Sequence, residues 1–215
     1  GVDFVVETEG DRKMHYCRII PERGSWIEVH VSKKDTLQVR IDQSGKFSAM
    51  TLLRAMDPAF SDNGSILRAF HGDLVEKVKM DANARGKSVG KIVVDDVIDP
   101  ETGEVYLESG QEVTEQKFDK LLGTGVREVA VIARPKDDIV FRSLEEDQAS
   151  MHHNGTHEAA LLKIYQRLRP GNPPALEKAK QLFEEKFQDP NRYRLGKVGR
   201  FRINRKFDQD IPEQE

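Results

Sequence analysis

Three histidines that lie close together are the first residues whose types could do chemistry. His152, His153 and His157 follow an acidic run at residues 145–147, and imidazole and carboxylate groups both bind metal ions. The spacing His-His-x-x-x-His lacks the glutamate that accompanies the two histidines of a zinc-protease helix. We therefore expect no metal site in this segment.

A phosphate-binding loop and a nucleophilic site are the other kinds of chemistry to consider. Gly86-Lys87-Ser88 resembles the end of a phosphate-binding loop, but Asp81 stands where that loop needs its first glycine. We find no Ser-His-Asp or Cys-His arrangement, and no carboxylate pair stands out among the 37 acidic residues. The sequence therefore predicts that this chain has no catalytic residue of its own.

The composition is typical of a soluble intracellular protein. No stretch approaches the roughly 18–20 consecutive apolar residues of a membrane-spanning helix. Cys17 is the single cysteine among 215 residues, which excludes an internal disulfide and favours a reducing compartment. The residues that follow Gly1 have no basic stretch followed by an apolar run, so we expect that they are not a signal peptide. We therefore expect a cytoplasmic protein, and a chain cut from a longer one.

The charged residues are unevenly distributed. Residues 81–150 hold 16 acids against 9 bases, whereas residues 161–206 hold 13 bases against 4 acids. Such asymmetry indicates that the basic segment meets a polyanion and that the acidic one does not. Ordinary solvated surfaces also carry local charge excesses, so charge alone leaves both interpretations open.

Alternation and helical spacing predict the elements that must position these residues. Residues 26–31 and 37–41 alternate apolar and polar side chains, as half-buried strands do, with a hairpin loop between them. A short helix is predicted over 48–56, because the residue before Pro58 avoids the helical region. A basic strand or loop is predicted at 197–204.

The domain organisation follows from a change of pattern near residue 80. An acidic stretch with strand-like runs occupies residues 80–142, and helical spacing resumes after it. We predict an α+β fold, in which a mixed helix/strand domain is formed by residues 1–79 and 143–215. A small β-rich insert at 80–142 interrupts it.

Five longer strings resemble the lobe region of the bacterial RNA polymerase β subunit. In chain order they are Arg-Ile-Ile-Pro-Glu-Arg-Gly-Ser-Trp at 18–26, Val-Arg-Ile-Asp at 39–42, Leu-Leu-Arg-Ala at 52–55, Ile-Tyr-Gln-Arg-Leu-Arg-Pro-Gly-Asn-Pro-Pro at 164–174, and Arg-Tyr-Arg-Leu-Gly-Lys-Val-Gly-Arg at 192–200. They occur in the order of the family and span most of the chain. The segment around Asp-Pro-Glu-Thr-Gly-Glu at 99–104 resembles an insertion that some bacterial lineages carry inside the lobe.

The resemblance implies a part of DNA-directed RNA polymerase, a nucleotidyltransferase that acts in transcription. In that family the lobe is one wall of the downstream DNA cleft and contacts the non-template strand. The Mg²⁺ of the parent enzyme is bound by the β′ subunit, so we expect no cofactor and no catalysis in this fragment. The implied partners are DNA and the β′, α and σ subunits, and the implied location is cytoplasmic and nucleoid-associated, with no membrane contact.

Two residues carry the most specific implications. The family tryptophan that matches Trp26 stacks on an unpaired base of the non-template strand. Without the resemblance, a single tryptophan is more often expected in a core. Arg169 matches a family arginine that contacts the same strand, although a loop arginine also closes a helix C-terminus favourably.

The remaining candidate contacts with DNA are basic residues. Many family members carry a run of arginines after Val-Arg-Ile-Asp, but here residues 43–45 replace that run and only Lys46 remains. We therefore expect fewer phosphate contacts here than in those family members. Arg40, Arg200 and Arg202 are further candidates for the cleft, because arginines neutralise phosphates without sequence preference.

A different function is an alternative for the acidic insert. Its charge would repel a DNA backbone and suits basic surfaces of transcription factors or of another part of the polymerase. The chain would then act, through this segment, as a protein-docking module. The two functions can coexist on different segments.

Overall fold

The computed structural model describes residues 1–151 and 156–213, without the side chains of residues 148–151. His152 and His153 lie outside the described residues. None of the helices in the described part is long and apolar enough to cross a membrane.

Ten strands and eight α-helices are described. The strands are β1 (Val2–Glu9), β2 (Arg12–Ile19), β3 (Ile27–Val31), β4 (Leu37–Ile41), β5 (Phe47–Ser48), β6 (Val75–Lys79), β7 (Ile92–Val93), β8 (Val97–Ile98), β9 (Val105–Leu107) and β10 (Glu128–Ile132). The helices are α1 (Ala49–Met56), α2 (Asn63–His71), α3 (Arg85–Ser88), α4 (Glu115–Leu122), α5 (Ile139–Met151), α6 (His157–Leu168), α7 (Leu176–Phe183) and α8 (Gly196–Phe207). The predicted α+β class is confirmed.

The chain divides into two compact units. Unit 1 comprises Gly1–Pro58 and Thr156–Glu215, and unit 2 comprises Ala59–Gly155. The predicted ends of the insert, at residues 80 and 142, fall inside unit 2. Strand β6 lies before residue 80 but belongs to this unit, because it pairs along its whole length with β10. The assignment of a lobe and an insert to these parts of the chain stays a prediction.

Unit 1 is built on a five-stranded antiparallel meander in the order β1-β2-β3-β4-β5. The alternation that predicted β3 and β4 places Val39 and Ile41 in the core, where they are almost fully buried. The predicted hairpin loop is confirmed, and Ser32 Oγ and Thr36 Oγ1 lie 2.7 Å apart across it. The pairing of β1 with β2 was not predicted.

Helices complete the core of unit 1. The predicted helix at 48–56 is confirmed as α1, which Ser48 caps by accepting a hydrogen bond from the Met50 N–H. α1 packs on α6, and His157 Nδ1 lies 2.7 Å from the carbonyl oxygen of Arg54. The N-terminus of α6 is therefore held beside α1, although all of unit 2 separates the two helices in sequence.

The prediction of a basic strand or loop at 197–204 is wrong, because this segment lies within helix α8. Residues 200–204 alternate basic or polar with apolar side chains, and that alternation suggested a strand. Gly199 and Ile203 are also four residues apart, which is a helical spacing, and a window of about five residues cannot separate a period of two from a period of 3.6. Gly199 is buried, and no proline interrupts the helix.

Unit 2 has its own hydrophobic core between a three-stranded sheet and α4. The sheet order is β6-β10-β7, and β8 pairs with β9 as a separate hairpin. Phe118 and Leu121 of α4 are buried with Val93, Val131 and Leu107. Thr114 caps α4 by accepting a hydrogen bond from the Lys117 N–H at 3.3 Å.

The turn between β8 and β9 is organised by Asp99. Its Oδ1 accepts hydrogen bonds from the N–H groups of Glu101 at 2.7 Å and Thr102 at 3.2 Å. Its Oδ2 accepts one from the Tyr106 hydroxyl at 2.7 Å. Gly103 has a φ of 74°, which glycine adopts without steric cost.

Candidate nucleic-acid interface

Trp26 immediately precedes β3 and is held there through its backbone. Its N–H donates to Asp42 Oδ1 at 3.0 Å, and its carbonyl oxygen accepts from the Asp42 N–H at 2.8 Å. Asp42 has a φ of 51°, a left-handed conformation that aspartate tolerates better than most residues. The two bonds continue the β3–β4 ladder and leave Trp26 45% exposed. Trp26 is therefore not a core residue.

A row of charged side chains crosses the sheet beside Trp26. The register pairs Arg18 of β2 with Glu28 of β3, and Glu28 with Arg40 of β4. Arg18 Nε lies 3.1 Å from Glu28 Oε1, and Arg40 Nη1 lies 3.9 Å from Glu28 Oε2. Because positions 26 and 28 lie on the same face of the sheet, this row borders the indole.

The guanidinium of Arg18 lies over two aromatic rings. Its Cζ is 5.5 Å from the ring centroid of Trp26 and 5.6 Å from that of Tyr16, both within the range of cation–π attraction. Its Nη2 donates to the Tyr16 hydroxyl at 3.4 Å. The Arg18 guanidinium is therefore held by Glu28, by Tyr16 and by the ring of Trp26.

The residues around Trp26 line an open groove of about 690 Å³. Its lining consists of Arg18, Gly24, Trp26, Glu28, Arg40, Asp42 and Gln43. Two guanidinium groups and two carboxylates balance in formal charge, and the indole supplies the aromatic surface. Such an arrangement suits a flat ring system that carries hydrogen-bonding groups at its edge.

The electrostatics of the sheet face fix the charge of Glu28 and His30. Burial favours a raised pKa for Glu28, but the hydrogen bond to His30 and the charges of His30 and Arg18 outweigh burial and lower it. Burial lowers the pKa of His30, with help from the positive charges of Lys46 and Arg40, despite the opposing contact with Glu28. Glu28 is therefore anionic and His30 neutral near pH 7.

Three of the predicted residues lie on or near this face. Arg40 lines the groove, and within the described part of the chain its buried Nε has no hydrogen-bond partner. Lys46 is exposed and close enough to His30 to influence its pKa. Trp26, Arg40 and Lys46 thus form one group.

The other three predicted residues do not line this groove. Arg169 is exposed at the C-terminus of α6, where its Nη1 donates to the Leu168 carbonyl at 3.1 Å, which is the helix-closing geometry. Arg200 and Arg202 lie on α8 and line a separate cavity of about 1210 Å³. That cavity also contains Phe187, Tyr193 and Val198, so it combines basic and apolar walls.

Sequence reasoning missed Arg18 and two further cations of unit 1. Lys186 Nζ lies 3.4 Å from Asp42 Oδ2. Arg167 lies close to Gly45, since a Cβ built on that glycine would come within 3.1 Å of Arg167 Nη1. Arg18 was included in a matching string, but its place beside Trp26 depends on the β2–β3 register. No spacing along one strand indicates that register.

Metal-ligating side chains do not cluster in the part of the chain that the structure describes. There, no group of three or more His, Cys, Asp and Glu side chains could hold a metal ion. Two-metal phosphoryl transfer depends on such clustered ligands. The described residues therefore do not fit an Mg²⁺ centre.

Comparison with known proteins places these features in one family. Residues 129–215 match the family model for RNA polymerase Rpb2, domain 2. The chain is 52% identical to the DNA-directed RNA polymerase subunit beta of Rhodopirellula baltica, over 99% of the chain and 17% of that protein. It is 31% identical to that subunit of Sorangium cellulosum, over 97% of the chain and 19% of that protein.

A third relative gives the same result. The chain is 34% identical to the DNA-directed RNA polymerase subunit beta of Leptospira biflexa serovar Patoc, over 92% of the chain and 16% of that protein. The chain thus spans less than one fifth of the length of these relatives. Within that span, the chain belongs to the family of bacterial DNA-directed RNA polymerase β subunits.

Proposed function

We propose that the chain is part of a DNA-directed RNA polymerase and that unit 1 contacts DNA during RNA synthesis. In this proposal unit 1 forms one wall of the downstream DNA cleft, and Trp26 stacks on an unpaired base of the non-template strand. The observation that carries the proposal is the exposed indole, fixed at the start of β3 in a charge-balanced groove.

Stacking on Trp26 would distinguish open DNA from closed DNA. A base–aromatic stack supplies about 1–3 kcal/mol and tolerates any base, because every base has a π-face. In a closed duplex the bases are already stacked on their neighbours and cannot reach the indole. An interaction available only after strand separation shifts the equilibrium toward the open complex.

Basic residues would hold the backbone of the same strand and of the duplex. Arg40, Lys46 and Arg169 are the proposed contacts of the non-template strand, and Arg200 and Arg202 those of the duplex. Gln43 and its neighbours replace the arginine run of many relatives, so fewer phosphate contacts are expected there. These cations would add affinity without sequence preference.

In this proposal the chain takes no part in bond making. The Mg²⁺ ions and the nucleotidyl transfer would belong to the β′ subunit, and α and σ would complete the enzyme.

The direct test is Trp26→Ala in the assembled polymerase. We expect open promoter complexes to lose roughly 5- to 150-fold in stability, which corresponds to one lost stack of about 1–3 kcal/mol. Complex lifetimes after competitor challenge provide the measurement. The free energy of unfolding should change little, since a fully buried aromatic residue would instead cost about 3–5 kcal/mol.

Phe70→Ala is the matched control, because Phe70 is 50% exposed but lies outside the groove. It should leave open complexes unchanged, and Trp26→Phe should restore part of their stability. Open complexes that survive Trp26→Ala with wild-type lifetimes would rule out the stacking role.

We propose protein docking as a second function, carried by unit 2. Ile98 and Val105 are paired across β8 and β9 and are 48% and 47% exposed. Exposed acids at Asp95, Glu101 and Glu104 lie in the same segment. An apolar pair among acids suits a partner segment that carries basic and apolar side chains.

Titration with a peptide of alternating Lys and Leu, against one of alternating Glu and Leu, tests this second function. We expect only the Lys/Leu peptide to bind unit 2, and Ile98→Asp to weaken that binding at least about tenfold. Binding that is insensitive to Ile98→Asp would reduce the interaction to general charge attraction and remove the docking site.

A further inference from the structure

The surroundings of Arg18 carry an inference about how Trp26 is presented. The Arg18 guanidinium touches Glu28, the Tyr16 hydroxyl and the rings of both Tyr16 and Trp26. We propose that Arg18 is a positioning residue that occupies one face of the indole, so that Trp26 accepts a single unpaired base on its other face. This inference rests on the proposed stacking function of Trp26.

The first step is the rigidity of Arg18 itself. Its side chain is 31% exposed, and that of Glu28 is 16% exposed. The Arg18–Glu28 pair lies directly across the β2–β3 ladder, and Arg40 approaches Glu28 from β4. Because three adjacent strands hold this row, the guanidinium cannot move aside without breaking contacts on two of them.

The second step is the geometry of the stack. A guanidinium whose carbon lies 5.5 Å from the ring centroid covers part of the indole surface. A planar guanidinium can stack on an aromatic ring while it donates to a carboxylate, whereas a lysine ammonium is a compact point charge. The side of the indole that Arg18 covers is thus unavailable to a base.

The third step is what this implies for the ligand. An indole with two open faces can insert between successive bases of a single strand. An indole with one covered face can only cap a stack, and it receives one base. The predicted ligand is therefore one unpaired nucleotide at the end of a base stack, and not two consecutive nucleotides.

Fluorescence of 2-aminopurine tests this in the assembled polymerase on promoter DNA, because stacking quenches this base. The probe is placed in turn at consecutive non-template positions across the downstream edge of the bubble. We expect one position whose quenching depends on Trp26. Arg18→Ala should weaken quenching there, let a neighbouring position gain it, and shorten open-complex lifetime by roughly two- to fivefold, as loss of an exposed cation–π contact implies.

Two further variants separate positioning from general stability. Arg18→Lys keeps the charge but removes the planar group, so we expect a profile between those of wild type and Arg18→Ala. Arg12→Ala is the matched control, since Arg12 is exposed on the same strand and contacts the Ser32 carbonyl instead. It should leave the profile unchanged.

The outcomes distinguish the inference from the function on which it rests. If Trp26→Ala alters quenching at no position, the stacking function itself fails. If Trp26→Ala alters it but Arg18→Ala and Arg18→Lys reproduce the wild-type profile, the positioning role fails alone. Two adjacent Trp26-dependent positions in the wild type would also overturn it. If Arg18→Ala lowers the melting temperature of the protein, the profile of Arg18→Lys decides.

Discussion

Gly24 lies against the ring of Tyr193, closely enough that no side chain fits between them. A Cβ built on Gly24 would come within 2.5 Å of Tyr193 Cδ2 and 3.1 Å of the Arg192 carbonyl oxygen. Gly24 also has a φ of 123°, a region that is essentially restricted to glycine. The segment that leads into Trp26 is thereby fixed against the segment that leads into α8.

Gly24→Ala should therefore destabilise unit 1 by roughly 1–3 kcal/mol or more, from backbone strain together with the clash. Gly10→Ala is the matched control, since Gly10 has a φ of 62° but no neighbour within 4 Å of a built Cβ. Urea unfolding of the two variants gives the comparison. Equal losses would show that the contact with Tyr193 adds nothing to the cost of the backbone conformation.

The hydrogen bond between Tyr106 and Asp99 predicts an unusual titration. It raises the pKa of Tyr106 to about 12 and, together with backbone donors, lowers the pKa of Asp99. A raised tyrosine pKa contributes stability that is complete below its ordinary value of 10.0 and is lost as pH rises toward 12. A lowered aspartate pKa contributes stability above its ordinary value of 3.8, which is lost as pH falls.

Ultraviolet titration of the tyrosines measures this effect. We expect Tyr106→Phe to remove the component that ionises last, whereas Tyr193→Phe should retain it. Asp99→Asn should shift that component to lower pH, since it removes the carboxylate charge. A late component that persists in Tyr106→Phe would contradict the assignment.

The unit boundaries predict which deletion leaves a folded protein. Arg54 and His157 are in contact across the junction, so a short Gly/Ser linker should join residue 58 to residue 156 without strain. We expect this variant to unfold cooperatively on heating, as followed by circular dichroism. The variant that lacks residues 80–142 should be less stable than the variant that lacks residues 59–155, because it keeps β6 but loses the partner strand β10.

A broad, non-cooperative transition in the variant that lacks residues 59–155 would show that unit 1 needs unit 2 to fold. Equal stability of the two deletions would show that β6 requires no partner strand. The pair of variants thus tests the boundaries independently of any function.

The proposed phosphate contacts predict a change in salt dependence. Arg202→Gln should weaken the binding of DNA by the polymerase about equally for all sequences, and it should reduce the slope of log affinity against log salt by about one. Asp208→Asn, which changes an exposed acid just after α8, should not reduce that slope. A slope unchanged by Arg202→Gln would exclude a phosphate contact at this residue.

Sequence predicted the parts of unit 1 whose pattern is local. The β3–β4 hairpin and α1 follow from alternation, a loop and a proline, all within a few residues. α8 was predicted wrongly, because its window fits two periods. The groove could be anticipated only at Trp26 and Arg40, and only through resemblance. Arg18 joins it through a register between strands, which arises from packing of the whole sheet rather than from any one segment.

The topology of unit 1 determines which of its contacts can form early during synthesis and which form late. Each strand pairs with its neighbour in sequence, so contacts of low sequence separation can form the sheet early. The packing of α1 on α6 joins residues separated by all of unit 2. During synthesis the side of α1 that packs on α6 therefore stays uncovered while about 100 further residues are added. This takes roughly 5–20 seconds at typical elongation rates. A chaperone that binds nascent chains would meet the apolar side of α1 before α6 covers it.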